Sequence, residues 1–187
     1  MRKLILQEWI SLDGFAAGPA ENLDFMSSGE LNTYSDGDQT ALIEEFDTII
    51  LGANTYRLFS QYWPGVTTDE EVIADKLNAT PKVVFSKTLD RAPWGKWPAA
   101  EIVREDAAAN IRYRKQQAGK DMVLWGSIAL AQSLIRANLI DEYQLRICPS
   151  VLGGGRPLFP NGKSLPDLTL KSTKIYPSGL ILACYTS

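Results

Sequence analysis

The chain has 187 residues, which suits one domain spanning 1–187 and lets folding bury roughly 70% of the surface an extended chain exposes. Its 19 basic and 22 acidic side chains leave a net charge of −3 with no Lys/Arg run to follow a phosphate backbone, and no apolar run nears the ~20 residues of a membrane span, so neither nucleic acid nor membrane is an expected partner. There is no histidine at all, which excludes Ser-His-Asp and Cys-His nucleophiles and, with two cysteines far apart, leaves no expected metal site.

Met1-Arg2-Lys3 leads into apolar residues without a signal-type core and cleavage site, so the expected location is cytoplasmic. Lys3 to Leu12 reads as a central strand ending in Ser11-Leu12-Asp13-Gly14. Asp13 either caps the turn that follows or faces a ligand. Phe15, Ala16 and Ala17 are flat or small groups able to lie against a ligand ring. Residues 19–38, rich in Gly, Ser, Asn and Asp with scattered Leu23, Phe25, Met26 and Tyr34, read as a lid over a pocket or as a surface loop. Gln39 to Phe46 suggests a short helix and Thr48 to Leu51 a buried strand ending at Gly52. Gly52-Ala53-Asn54-Thr55-Tyr56-Arg57 then feeds that strand into a helix N-terminus.

Asp69 to Ala79 reads as an amphipathic helix stopped by Pro81, and Lys82 to Phe85 as a strand closing on Ser86-Lys87-Thr88. Ser86 and Lys87, at a strand's carboxyl end, can offer a hydroxyl and a point charge to a phosphate. Trp94 and Trp97, between Pro93 and Pro98, are expected to cap an edge of the core. Glu101 to Arg104 is a short strand. Asp106 N-caps a helix running to Gln117, with Gly119 beyond its end.

The stretch Asp121 to Gly155 organises the rest. Met122 to Trp125 is a strand, Gly126-Ser127 a sharp turn, and Ile128, Leu130, Ala131, Leu134 and Ile135 recur at helical spacing before a second strand, Glu142 to Cys148. Such a βαβ unit leaves free N–H groups and a positive dipole end at the strand's carboxyl edge, where a phosphate can sit. Two such turns, at Gly52 and Gly126, can hold both ends of a dinucleotide. Leu152 to Phe159 is a glycine-rich loop with one cation, Arg156, and opens no helix, so it is no P-loop. Leu168 to Tyr176 and Gly179 to Tyr185 alternate around Pro177-Ser178-Gly179 as an antiparallel hairpin. Cys148 and Cys184, in apolar strand-like contexts, are expected as buried free thiols.

The ordered set Ser-Leu-Asp-Gly, Gly-Ala-Asn-Thr-Tyr, Phe-Ser-Lys-Thr-Leu, Leu-Trp-Gly-Ser, Asp-Glu-Tyr-Gln-Leu and Leu-Gly-Gly-Gly-Arg-Pro-Leu-Phe resembles the dihydrofolate-reductase-like superfamily. The resemblance is greatest to the C-terminal reductase domain of the bifunctional riboflavin-biosynthesis deaminase-reductase and its stand-alone relatives. It implies an α/β fold with a mainly parallel sheet of about eight strands flanked by helices, an antiparallel C-terminal hairpin, NADPH across the strand ends and a homodimer. Position by position, it implies adenosine-side phosphates against Gly52, Ala53, Asn54, Thr55, Ser86 and Lys87, and the other phosphates against Trp125, Gly126, Ser127 and Ile128. The nicotinamide would lie near Trp9, Ala16 and Ala17, with Arg104 helping to grip the ribose phosphate.

Two departures matter. Ala53 stands where many relatives carry a basic residue, which weakens the preference for NADPH and leaves NADH as an alternative. No helix bearing a folate-binding carboxylate is recognisable between Gly18 and Gln39, so folate is not the expected substrate. The expected function is hydride transfer from NADPH to a C=N or C=O carbon of a small pyrimidine- or pterin-like heterocycle, with Asp13 as the candidate to polarise or protonate it. The alternative is a non-catalytic dinucleotide-binding dimer, a sensor or degenerate paralogue.

Overall fold

A computed structural model describes residues 1–26, 36–162 and 167–187. Its main sheet has eight strands in the order β5-β4-β3-β6-β1-β7-β10-β9, where β1 is Leu4–Ser11, β3 Phe46–Gly52, β4 Lys82–Phe85, β5 Glu101–Val103, β6 Asp121–Trp125, β7 Glu142–Cys148, β9 Thr169–Ile175 and β10 Ile181–Thr186. The pairs from β5 to β7 are all parallel, while β10 runs antiparallel to both β7 and β9. Two-faced burial explains why the middle strands are continuous apolar runs. Leu4, Leu6, Ile50, Met122 and Leu124 pack on one side with Ile111, Ala131, Leu134 and Ile135, and Ile5, Ile49, Leu51 and Val123 on the other with Tyr56, Leu77 and Trp94.

The flanking helices are α1 (Asp36–Ile43), α2 (Ala53–Tyr62), α3 (Ala74–Ala79), α4 (Ala107–Lys115) and α5 (Ile128–Arg136). The chain leaves β3 toward β4 and leaves β6 toward β7, so the connections diverge about β6, the place where open α/β sheets leave a crevice at the strands' carboxyl ends. Register deepens that crevice. β1 pairs with β6 only as far as Gln7 opposite Trp125, but with β7 as far as Ser11 opposite Cys148, so Glu8–Ser11 project past the end of β6.

Several elements differ from the sequence reading. Phe46 does not end α1; it is buried and opens β3 opposite Asp121. Only Ala74–Ala79 of the stretch from Asp69 is helical, because Thr67 and Glu70 close a turn, with the Thr67 N–H donating to Glu70 Oε2 at 2.9 Å and the Glu70 N–H to the Thr67 carbonyl at 3.0 Å. Phe15–Ala17 (β2) pairs antiparallel with Arg156–Pro157 (β8), joining two segments read as loops. That pairing requires Gly155, at φ +126°, since a Cβ there would stand 2.1 Å from the Ala17 carbonyl oxygen. Trp94 is not an edge cap but is 1% exposed, its Nε1–H donating to Asn78 Oδ1 at 2.6 Å. All of β9 is exposed. Cys148 and Cys184 are buried free thiols. Among the described residues no helix is long and apolar enough to cross a membrane.

Candidate functional site

Two helices begin side by side where β3 and β6 end. The Gly52 N–H donates to Ser127 Oγ at 2.8 Å, and the Ser127 N–H donates to Thr55 Oγ1 at 2.9 Å. Ser127 Oγ also donates to the Trp125 carbonyl at 3.0 Å. These bonds hold Gly126 and Ser127 in consecutive left-handed conformations, φ +53° and +63°, and a Cβ at Gly126 would lie 3.2 Å from Thr55 Cγ2. The N–H of Ser127, expected to be free for a phosphate, is therefore spent on fastening one turn to the other. What remains free is the first turn of each helix. Neither α2 nor α5 has a side-chain cap, so their leading N–H groups keep no intrahelical acceptor and both positive dipole ends point the same way.

They point into a cavity of about 800 Å³, whose wall takes Gly52, Ala53, Asn54 and Thr55 from α2's start and Gly126, Ser127, Ile128 and Ala129 from α5's. It is lined as well by Gln7, Glu8 and Trp9 at the end of β1, by Ala16 and Ala17 of β2, and by Glu21, Leu23 and Met26. Trp125 and Phe85 add flat apolar surface at its base. Arg146, 1% exposed, stands in register with Trp9 and holds its guanidinium 5.7 Å from the Trp9 ring centroid, a cation–π contact. A row of buried amides crosses the sheet beneath: Trp125 Nε1–H donates to Gln7 Oε1, Gln7 Nε2 to Gln144 Oε1 at 2.6 Å, and Gln144 Nε2 to Glu142 Oε1 at 2.8 Å. Every member is partnered, so the row fixes the wall rather than offering groups to a ligand.

Glu8 differs from its neighbours. Its Oε1 accepts the Trp9 N–H at 3.1 Å, but its Oε2 is buried with no hydrogen-bond partner. Burial pushes its pKa up to about 8 against the smaller lowering effect of the Trp9 N–H, so the carboxyl is largely protonated at neutral pH.

The cavity thus brings together Trp9, Ala16, Ala17, Gly52, Ala53, Asn54, Thr55, Trp125, Gly126, Ser127 and Ile128. It does not take in Asp13, Ser86, Lys87 or Arg104. Asp13 is exposed; its carboxylate accepts from Ser11 Oγ at 2.6 Å, the Gly153 N–H at 2.7 Å and the Leu152 N–H at 3.2 Å, tying the end of β1 to the glycine-rich loop. The Ser11 hydroxyl first, then those N–H groups, hold its pKa below the usual carboxylate range, so at neutral pH it has no proton to give. Ser86 Oγ accepts the N–H groups of Thr88 and Leu89 at 3.2 and 3.1 Å, closing a turn. Lys87 is exposed just past β4, and Arg104, just past β5, donates to the Leu89 carbonyl at 2.6 Å and pairs with Asp90 at 3.7 Å. Both lie at the same carboxyl edge of the sheet, Lys87 past the strand beside β3 and Arg104 one strand further out. Of the lid read over 19–38, residues 27–35, Tyr34 among them, lie outside the described residues. Glu8 and Arg146 are the site residues the sequence reading passed over, although each breaks an apolar strand with a charge, Gln7-Glu8-Trp9 and Leu145-Arg146-Ile147.

Comparison with known proteins identifies the family and the fold. The family model described as RibD C-terminal domain matches residues 2–182. The uncharacterized protein YyaP of Bacillus subtilis (strain 168) is 30% identical over 186 residues, covering 98% of this chain and 94% of its own. Among solved structures, a protein from Shewanella sp. PV-4 named for riboflavin biosynthesis superposes with a TM-score of 0.76 at 22% identity, covering 98% of both chains. A pyrimidine reductase-like protein from Corynebacterium diphtheriae gives 0.65 at 18% identity, covering 99% of this chain and 91% of that one.

Proposed function

From the premise that this chain belongs to the RibD C-terminal domain family, we propose that it is an NADPH-dependent reductase acting on a C=N or C=O carbon of a small pyrimidine- or pterin-like heterocycle. The dihydrofolate-reductase-like fold and the reductase character of the family support the general class. The observation that carries the reading for this chain is the pair of uncapped helix N-termini, fastened to each other through Ser127 and Thr55 and opening on one cavity. Such a site attracts phosphate oxygens from two directions at once.

The bound cofactor supplies a hydride; the protein supplies grip, orientation and exclusion of water. The first turns of α2 and α5 would hold the phosphates. Trp9, Ala16 and Ala17 would line the nicotinamide's place, and Lys87 and Arg104 would serve the 2′-phosphate, NADH being the alternative where that phosphate is not read. Asp13 ties the end of β1 to the glycine-rich loop through the Leu152 and Gly153 N–H groups, just before the strand that carries Ala16 and Ala17. A homodimer is the proposed assembly.

The test is a titration of the protein with NADPH followed by tryptophan fluorescence, since Trp9 and Trp125 line the cavity. Loss of the reduced nicotinamide absorbance is then followed with panels of pyrimidines, pterins, quinones and imines. Saturable quenching with oxidation by one panel is expected. No quenching by NADPH or NADH would overturn the reading, and tight binding without oxidation across all panels would favour a non-catalytic dinucleotide-binding dimer.

A further inference from the structure

β1 carries one acidic side chain to whose charge its surroundings offer a single backbone N–H, that of Trp9. Glu8 is 7% exposed and is the first residue of β1 beyond the end of β6. On one flank it therefore has the cavity, and on the other its β7 partner, Leu145, which is apolar. The charged groups on the cavity's other elements are Arg146 of β7, Arg156 of β8, Glu21 of the turn at Pro19–Glu21 and Glu71. Arg146 pairs in register with Trp9, so its side chain leaves the sheet on the face opposite Glu8, and Arg156 is engaged with Glu21 at 3.2 Å. A carboxylate left there would be desolvated with only the Trp9 N–H in compensation; a neutral carboxyl keeps one O–H that needs an acceptor. No acceptor for it is found among the described residues, and since Oε2 is buried with no surface open to the cavity, the carboxyl must turn to meet a ligand there.

We propose that Glu8 is the catalytic acid of this cavity, its Oε2–H delivering a proton to the substrate's ring nitrogen or oxygen as the adjacent carbon is reduced. The inference rests on the reductase reading. In the balanced step, the substrate carbon accepts a hydride from the reduced nicotinamide class of cofactor and the π pair of its C=N or C=O bond moves to the heteroatom. That atom takes the Oε2 proton, the C–H and N–H or O–H bonds replacing the π bond. Glu8 is left as a carboxylate beside an oxidised, cationic nicotinamide, and recovers a proton from water. Its raised pKa keeps the acid form loaded at neutral pH.

This arrangement ties the ionisation of Glu8 to the redox state of the cofactor, which binding alone can read. The dissociation constants of NADP+ and NADPH are measured by tryptophan quenching from about pH 6 to about pH 9.5 on the wild-type chain, on Glu8→Gln, an isosteric neutral variant, and on Glu8→Asp. Because both cofactor forms share the 2′-phosphate, their ratio cancels its titration. For the wild type, NADP+ should gain on NADPH with rising pH, by up to tenfold per pH unit, and the ratio should be flat for Glu8→Gln. Glu8→Asp should restore the slope, which a packing defect would not do. With a substrate from the panels in hand, Glu8→Gln should keep NADPH affinity while turnover falls about 10²–10⁴-fold. A flat ratio in the wild type, or the same slope in Glu8→Gln, would overturn the assignment while leaving the reductase reading intact. Absence of quenching by either cofactor would remove both.

Discussion

Two buried ionisable side chains show how environment separates structure from chemistry at the scale of single residues. Lys82 is 4% exposed, and burial brings its pKa down to about 7. Its Nζ donates to the Leu77 and Asn78 carbonyls at the C-terminal end of α3 and lies 4.6 Å from the Trp94 ring centroid, so its donors are used and its role is to cap a helix. Glu8 is also buried, but only its Oε1 has a partner, the Trp9 N–H. Its folded pKa of about 8 stands above the ordinary 4.5, so the folded state binds the extra proton between those values. The stability contributed by neutral Glu8 is complete below about pH 4.5 and is lost as pH rises through about 8. Lys82 has the opposite sign, its depressed pKa making stability rise between about 7 and 10.5. The difference between wild type and Glu8→Gln isolates the carboxyl. Chemical denaturation across pH should show Glu8→Gln gaining on the wild type by several kcal/mol in all between pH 5 and 9, and a constant difference would place Glu8 in water rather than in the wall. Lys87→Ala and Arg104→Ala make a second test at this scale. Each should weaken NADPH about tenfold with little change for NADH, and equal losses for both cofactors would put these cations away from the 2′-phosphate.

At the scale of elements, the turns at Gly52 and Gly126 function as one joint. Thr55→Val removes the acceptor for the Ser127 N–H, and Ser127→Ala strands the Gly52 N–H, each leaving a part-buried donor unpaired at a cost of about 1–3 kcal/mol. Gly126→Ala adds a Cβ in a left-handed conformation against Thr55, costing about 1–2 kcal/mol and pushing α2 from α5. All three should fold, by urea denaturation, and bind NADPH at least tenfold more weakly; unchanged affinity would separate the joint from the phosphate site. This joint was half legible in the sequence. Strands feeding helices through Gly52 and Gly126 stand out as apolar runs cut by glycine, because parallel strands buried on both faces leave that trace. The cross-links between the turns do not, since Thr55 and Ser127 lie 72 positions apart. The same limit hid the β2–β8 pairing and the docking of Asp13 on Leu152 and Gly153, contacts that only the folded chain creates. Glu8 was hidden for another reason: a strand read for its apolar character absorbs a single carboxyl without changing its period.

At the scale of the whole molecule, the site bridges two bodies of secondary structure. α2 follows β3 and leads to β4 on one side of the sheet's centre, whereas α5 follows β6 and leads to β7 on the other, and the two helix starts meet above the gap left by the projecting end of β1. A dinucleotide laid across both would add contacts between halves that otherwise communicate through the sheet and through the hydrogen bonds of Ser127. Since only the folded chain presents both N-termini together, binding must stabilise the fold as a unit. NADPH at about a hundred times its dissociation constant should add about 2.7 kcal/mol, which for a chain of this size raises Tm by roughly 5–10 °C. The unfolding curve should keep one transition whose midpoint moves with the logarithm of NADPH concentration. Gly126→Ala should show a smaller shift at the same concentration, in proportion to its weakened binding. A second, unshifted transition would mean that the cofactor grips one half alone, and the shared crevice between α2 and α5 would then not be its seat.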